Sequence, residues 1–135
     1  MKNTSLSRSY MKKATDRLEI LDILLKKGAY SDVVREAQEI VGLATKGMLR
    51  AVGIEPPKFH DVGGLLLEHK DKYRADIAEK LDRIAKISKR LRKERELSFY
   101  GDIDFVPTEE YTIDDAREAM EGANYVVDIA RKLIE

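Results

Sequence analysis

Groups that could move protons or hold anions are unevenly supplied in this chain. There are two histidines, His60 and His69, and no cysteine. Thiolate metal sites, cysteine nucleophiles and disulfides are therefore excluded, and a multi-histidine zinc site within one chain is not expected. His60 follows Pro56-Pro57-Lys58-Phe59 and precedes Asp61. One histidine and one aspartate make a thin ligand set, so His60 reads first as orienting this connection through the backbone and second as contacting a substrate or metal. His69, beside Glu68 and Lys70, reads as exposed. Cationic side chains are concentrated instead: residues 80–95 hold eight basic and two acidic residues, whereas 96–135 hold three basic and eleven acidic ones. The basic stretch ends KRLRKERELSFYGD, where Arg92 and Arg95 precede the pair Phe99-Tyr100 and then Gly101-Asp102. Arg95 could hold a phosphate, a basic helix face could track a nucleic-acid backbone, and the aromatic pair could stack on a base. Plainer readings stand beside these. Arg95 could pair with Asp102 or Asp104 while its stem covers the core, and the basic face could be solvated or paired with the acidic last segment. The aromatic pair reads more readily as a plug at the end of a bundle. A net charge of zero argues against a dedicated nucleic-acid binder. Gly63-Gly64 is not followed by the Gly-Lys-Ser/Thr of a phosphate-binding loop, and no nucleophile context is recognisable.

Four long amphipathic segments must position these groups. The first runs from about Thr4 to Lys27, with Met11, Ala14, Leu18, Leu21 and Leu25 on one face and Gly28 as the stop. The second runs from about Ser31, as N-cap, to Val52, with Val34, Ala37, Val41, Ala44 and Met48 as its stripe. Gly42 and Gly47 each lower its helix propensity by about 1 kcal/mol relative to alanine, and small residues there fit a close helix crossing. Gly53 and Pro56-Pro57 end it. Asp61 could cap a short helix carrying Val62, Leu65 and Leu66. A third long helix is expected from Tyr73 to Leu97, its stripe Ile77, Leu81, Ile84, Ser88 and Leu91 leading to Arg95. Residues 98–110 lack helical period and read as a loop. The last helix begins near Thr112, with Thr112 and Asp115 at capping-box spacing, and carries Ala116, Ala119, Ala123, Val127 and Ala130. These elements predict one all-α domain over 1–135, a mostly antiparallel up-and-down bundle of four to five helices. No apolar run approaches the roughly 20 residues of a membrane span and the first residues lack a signal-peptide core, so a cytoplasmic protein is expected.

The order of these pieces resembles a small prokaryotic HEPN domain. The resemblance rests on Ala37-Gln38 and Lys46 in the second helix, the connection GIEPPKFHDV from Gly53 to Val62, the pair Leu65-Leu66, and the Arg, aromatic and Gly-Asp run before a small-residue final helix. It covers about residues 5–134. It implies a helical bundle that forms a two-fold homodimer, often a toxin–antitoxin-type component encoded beside a minimal nucleotidyltransferase. It implies contact with that separately encoded nucleotidyltransferase, with nucleotide or with RNA, and no cofactor or metal. Active members are metal-independent ribonucleases carrying an arginine, four to six residues, then a histidine. Counted from Arg95, the histidine positions hold Tyr100, Gly101 and Asp102, and from Arg92 they hold Leu97, Ser98 and Phe99. A proton-transfer group is thus missing, since tyrosine, with a pKa of about 10, is a poor substitute for histidine. The expectation is a HEPN-like binding module with nucleotide or RNA contacts from Arg92, Arg95, Tyr100 and His60. The alternatives are a ribonuclease with a degenerate Arg95, Tyr100, Asp102 site, or a structural helical adaptor.

Overall fold

The computed structural model describes residues 4–58 and 62–134. Among these, helices α1 (Thr4–Lys26), α2 (Tyr30–Ala51), α3 (Val62–Glu68), α4 (Ala75–Ala78), α5 (Leu81–Phe99), α6 (Pro107–Glu110) and α7 (Ile113–Ile134) form an all-α bundle, with one 3-10 turn at Lys70–Lys72. No helix among them is long and apolar enough to cross a membrane.

The bundle is built around α2, which packs against α1, α7, α5 and α3. Its apolar residues explain that position: Val33, Val34, Ala37, Ile40, Val41, Ala44, Met48 and Leu49 are all buried, which is wider than a single stripe. The facing stripes are Met11, Ala14 and Leu21 of α1 and Ala116, Ala119, Ala123, Val126, Val127 and Ala130 of α7. The α1 to α2 turn closes on Gly28, whose φ of +72° suits a residue without a Cβ. There the Gly28 N–H donates to the Leu25 carbonyl and the Ala29 N–H to that of Leu24.

Several expectations need correction. Ser31 does not cap α2: the helix begins one residue earlier, Ala29 sits at the cap without a side-chain bond, and Ser31 is buried in the first turn. The third long helix is two pieces, α4 and α5, separated at Glu79-Lys80. Ile77 and Leu81 are both buried across that break, so the apolar repeat passes through it uninterrupted. The stretch 98–110 contains α6, with Pro107 in its first turn, where a missing N–H costs nothing. Of the two α2 glycines, Gly47 does face a crossing, because a Cβ there would lie 3.4 Å from Ile134 Cδ1 and 3.5 Å from the Ser7 carbonyl. Gly42 faces open space. His69 is half-buried rather than exposed.

Candidate phosphate-binding pocket

Steps of four along α2 put Gln38, Gly42 and Lys46 on one side of that helix, and Ser88, Arg92 and Arg95 share a side of α5. These two sides face one another. Between them lies a cavity of about 220 Å³, closed at one end by Pro57, Lys58 and Val62 from the connection before and at the start of α3. Val41, Val62 and Leu91 make its apolar floor, and Thr45 lines one wall. The Thr45 hydroxyl donates to the Val41 carbonyl at 2.8 Å, which leaves its oxygen lone pairs available. At Gly42, a Cβ would meet nothing within 4 Å, so the glycine enlarges the cavity rather than admitting a helix.

The electrostatics of the lining are one-sided. Lys46, Lys58, Arg92 and Arg95 contribute four cations, and no carboxylate among the described residues lines the pocket. Arg95 is half-exposed at the rim, where its Nη2 lies 3.7 Å from Glu39 Oε1. The same Glu39 oxygen lies 3.4 Å from Arg35 Nη2. Gln38 contributes an oxygen, Oε1, that is buried and meets no donor among the described residues. Buried polar atoms of folded proteins are almost always bonded. An orphan acceptor beside four cations therefore suits a ligand that carries donors as well as negative charge, such as a hydrated phosphate or a phosphate attached to a donor-bearing group.

The sequence-predicted residues divide. Arg92 and Arg95 line this pocket together. Arg95 does not pair with Asp102 or Asp104; its partner is Glu39 of α2. Tyr100 and Asp102 are not brought to it. Tyr100 is 71% exposed and meets only the edge of Phe99, with ring centroids 4.9 Å apart. Phe99 is itself half-exposed under the Arg35 guanidinium, so the pair caps nothing at the end of the bundle. The Asp102 carboxylate accepts the Ile103 N–H at 2.8 Å. No hydrogen bond or ion pair joins Arg95, Tyr100 and Asp102 to one another among the described residues. His60 lies outside the described residues, between Lys58 and Val62 in sequence. The pocket residues not singled out as site candidates were Gln38, Lys46, Lys58, Thr45 and Ser88. Gln38 and Lys46 were present in the sequence as a pair eight residues apart on a helix, which is a same-face spacing.

The rest of the basic α5 face is used inside the chain. Arg90 forms an ion pair with Glu118 of α7, and the Arg83 guanidinium lies 4.0 Å above the Tyr125 ring of α7. A second cavity, of about 310 Å³, opens between α5, α6 and α7, but Glu94, Glu110, Asp115 and Glu118 line it, with Arg90 as the one cation among the described residues. The Tyr111 hydroxyl donates to Glu94 there. Burial raises the Tyr111 pKa, reinforced by that bond and by the charges of Glu94 and Asp115. An anion would be repelled from that cavity and attracted to the first. No group of histidine, aspartate or glutamate among the described residues could hold a metal ion.

The chain matches known proteins along nearly its whole length. The profile of the HEPN domain matches residues 7–133. The protein "Putative toxin MJ1304" of Methanocaldococcus jannaschii is 25% identical over 140 residues, covering 98% of this chain and 91% of that protein. Among solved structures, ST0689, described as an archaeal HEPN homologue, superposes with a TM-score of 0.72 at 26% identity, covering 100% of both chains. TT1696 from Thermus thermophilus superposes with a TM-score of 0.70 at 21% identity, covering 94% of this chain and 97% of that one, and supports the fold alone.

Proposed function

The chain belongs to the HEPN domain family, and from that premise we propose that it is a homodimeric binding module that takes a phosphate-bearing ligand, nucleotide or RNA, in the pocket between α2 and α5. The observation that carries this reading is the lining of that pocket: four cations, an orphan acceptor at Gln38 and no carboxylate among the described residues. Arginine suits this task because its planar fork meets two phosphate oxygens at once, while a lysine acts as a point charge. A toxin–antitoxin-type role, with a separately encoded nucleotidyltransferase as partner, is part of the same proposal; the name of the M. jannaschii relative supports the toxin-like part alone. Catalysis is not part of it, because the positions of the ribonuclease histidine hold other residues and neither Tyr100 nor Asp102 lines the pocket with Arg95.

The test is titration of the purified protein with a fluorescent single-stranded RNA and, separately, with AMP. Lys46→Ala, Arg92→Ala and Arg95→Ala should each weaken binding about tenfold, in line with loss of one charge-assisted bond. Lys12→Ala, at an exposed site on α1 that pairs with Asp16, should change nothing. Equal affinity in all four variants would sink the pocket as the binding site. Light scattering that gives a monomer would remove the homodimer, and failure to co-purify with a neighbouring nucleotidyltransferase would remove that partner.

A further inference from the structure

One feature of the surface has no role in the bundle. After α5 the chain turns at Gly101, whose φ is +72° and where a Cβ would lie 2.3 Å from the Phe105 carbonyl and 2.6 Å from Pro107 Cδ. Only glycine fits there. The next four residues form a tight turn closed by two backbone bonds of 3.0 Å, Asp102 N–H to the Phe105 carbonyl and Phe105 N–H to the Asp102 carbonyl. The Asp102 carboxylate fixes it further by accepting the Ile103 N–H. The turn is thus held in one shape, and what it presents is Ile103, 94% exposed, flanked by Asp102 and Asp104. Val106, three residues after it, and Phe99, four residues before it, are also exposed. A large apolar side chain held in water by a tight turn, with further exposed apolar residues close to it in sequence, marks a contact surface.

Its charge selects the occupant. Residues 96–110 hold Glu96, Asp102, Asp104, Glu109 and Glu110 and no basic residue. The complementary surface is the pocket between α2 and α5, with four cations around an apolar floor of Val41, Val62 and Leu91. Within one chain the two do not meet, since none of residues 99–106 lines that pocket. We propose that the Asp102-Ile103-Asp104 turn of one copy docks in the basic pocket of a second copy, placing Ile103 on the apolar floor and the two carboxylates among Lys46, Arg92 and Arg95. Turn and pocket are different patches of one chain, so the proposed arrangement is the two-fold one, in which each copy gives its turn to the other and the pair closes, whereas a head-to-tail arrangement would continue as a ring or a filament. A net charge of zero removes long-range repulsion between the copies. The turn then occupies the place of the ligand phosphates, so the turn-docked homodimer is the ligand-free form, and a ligand entering the pocket displaces the turn and competes with this contact. This inference rests on the homodimer and pocket readings above and adds to them the residues that the second copy contributes.

Sedimentation velocity on the full chain tests it. Ile103→Ser and Asp104→Lys lie at exposed positions and should leave thermal melting by circular dichroism unchanged. Each should raise the dimer dissociation constant about tenfold or more, as loss of a central contact does. Affinity for inorganic pyrophosphate, measured by calorimetry where the wild type is dimeric, should rise by a similar factor as the competitor leaves. The decisive measurement is a charge swap. An Arg92→Glu chain and an Asp104→Lys chain should each dimerise poorly alone and form a tight heterodimer when mixed, because in the mixed pair both contacts are of opposite charge. An unchanged dimer constant in both turn variants, or no preference for the mixed dimer, overturns the docking while leaving the phosphate pocket and the homodimer standing. A wild type that stays monomeric at all concentrations overturns the docking together with the homodimer.

Discussion

The hydroxyl of Tyr73 is buried and donates to the Met48 carbonyl at 2.9 Å. Met48 stands in the last turn of α2, where carbonyls lack an intrahelical partner. Tyr73→Phe keeps the ring and orphans that carbonyl, which should cost about 1–3 kcal/mol, read as a lowered urea midpoint at unchanged m-value. The same residue gives a pH signature. Burial raises the pKa of Tyr73, and burial with Glu94 raises that of Tyr111, above the ordinary value of 10.0. A raised tyrosine pKa contributes stability that is fully present below the unfolded value and is lost as pH rises toward the folded one. Stability from these two groups should therefore be flat up to about pH 10 and fall above it, and the double variant Tyr73→Phe/Tyr111→Phe should show a shallower alkaline fall than the wild type. Neither hydroxyl's partner could be read from sequence, because the bonds span 25 and 17 residues. Arg92 and Arg95 entered as nucleotide or RNA candidates through the resemblance to the HEPN motif arginine, and charge and helical spacing were consistent with it. Lys46 was marked only by its place in the resemblance and its same-face spacing from Gln38, and Lys58 by nothing local, because no short-range signal tells a lysine that faces another helix from one that faces water.

Helix ends and crossings sort the elements that sequence pattern captured from those it did not. The capping box at the start of α7 forms as its spacing predicts. The Asp115 N–H donates to Thr112 Oγ1 at 3.2 Å, and the Thr112 N–H donates to the Asp115 carboxylate at 2.9 Å. Thr112→Ala should cost about 1 kcal/mol, a drop in melting temperature that Thr112→Ser should largely restore. The α4–α5 break escaped the pattern because apolar periodicity reports which way side chains face, not whether backbone bonding is continuous. The α3–α5 crossing escaped it too. Gly63 in α3 is a poor helix former by propensity, yet a Cβ there would lie 2.9 Å from the Ala85 Cα of α5. That neighbour is backbone and cannot swing aside. Gly63→Ala should destabilise by about 1–3 kcal/mol although alanine is the better helix former, and the sign of that change in a denaturant melt separates packing from propensity. Because Val62 and Lys58 adjoin this crossing in sequence and line the pocket, the same variant should also weaken RNA binding.

At the scale of the whole molecule, zero net charge concealed a division into a basic pocket and acidic flanks, and the division matters more than the sum. An excess of cations along residues 80–95 was plain in the sequence, but its meaning depended on what each cation faces. Arg90 is committed to Glu118 and Arg83 to the Tyr125 ring, both on α7. Arg92 and Arg95 are the members of that run that line the cavity, where Lys46 of α2 and Lys58 join them to make four cations. Salt dependence distinguishes a pocket from a face. For single-stranded nucleic acid the logarithm of affinity falls with the logarithm of salt at a slope of about −0.7 per phosphate neutralised. Four cations give a slope near −3, or roughly a fiftyfold loss between about 50 and 200 mM salt. If the whole run of eight basic residues in 80–95 tracked the backbone, the slope would approach about −6. Titration of labelled RNA across that salt range should return the smaller value, and Arg92→Ala should reduce it by about 0.7 while Lys89→Ala, exposed on the outer side of α5, leaves it alone. A slope near −6, or equal sensitivity to Lys89 and Arg92, would assign binding to the open helix face and remove the pocket from the mechanism.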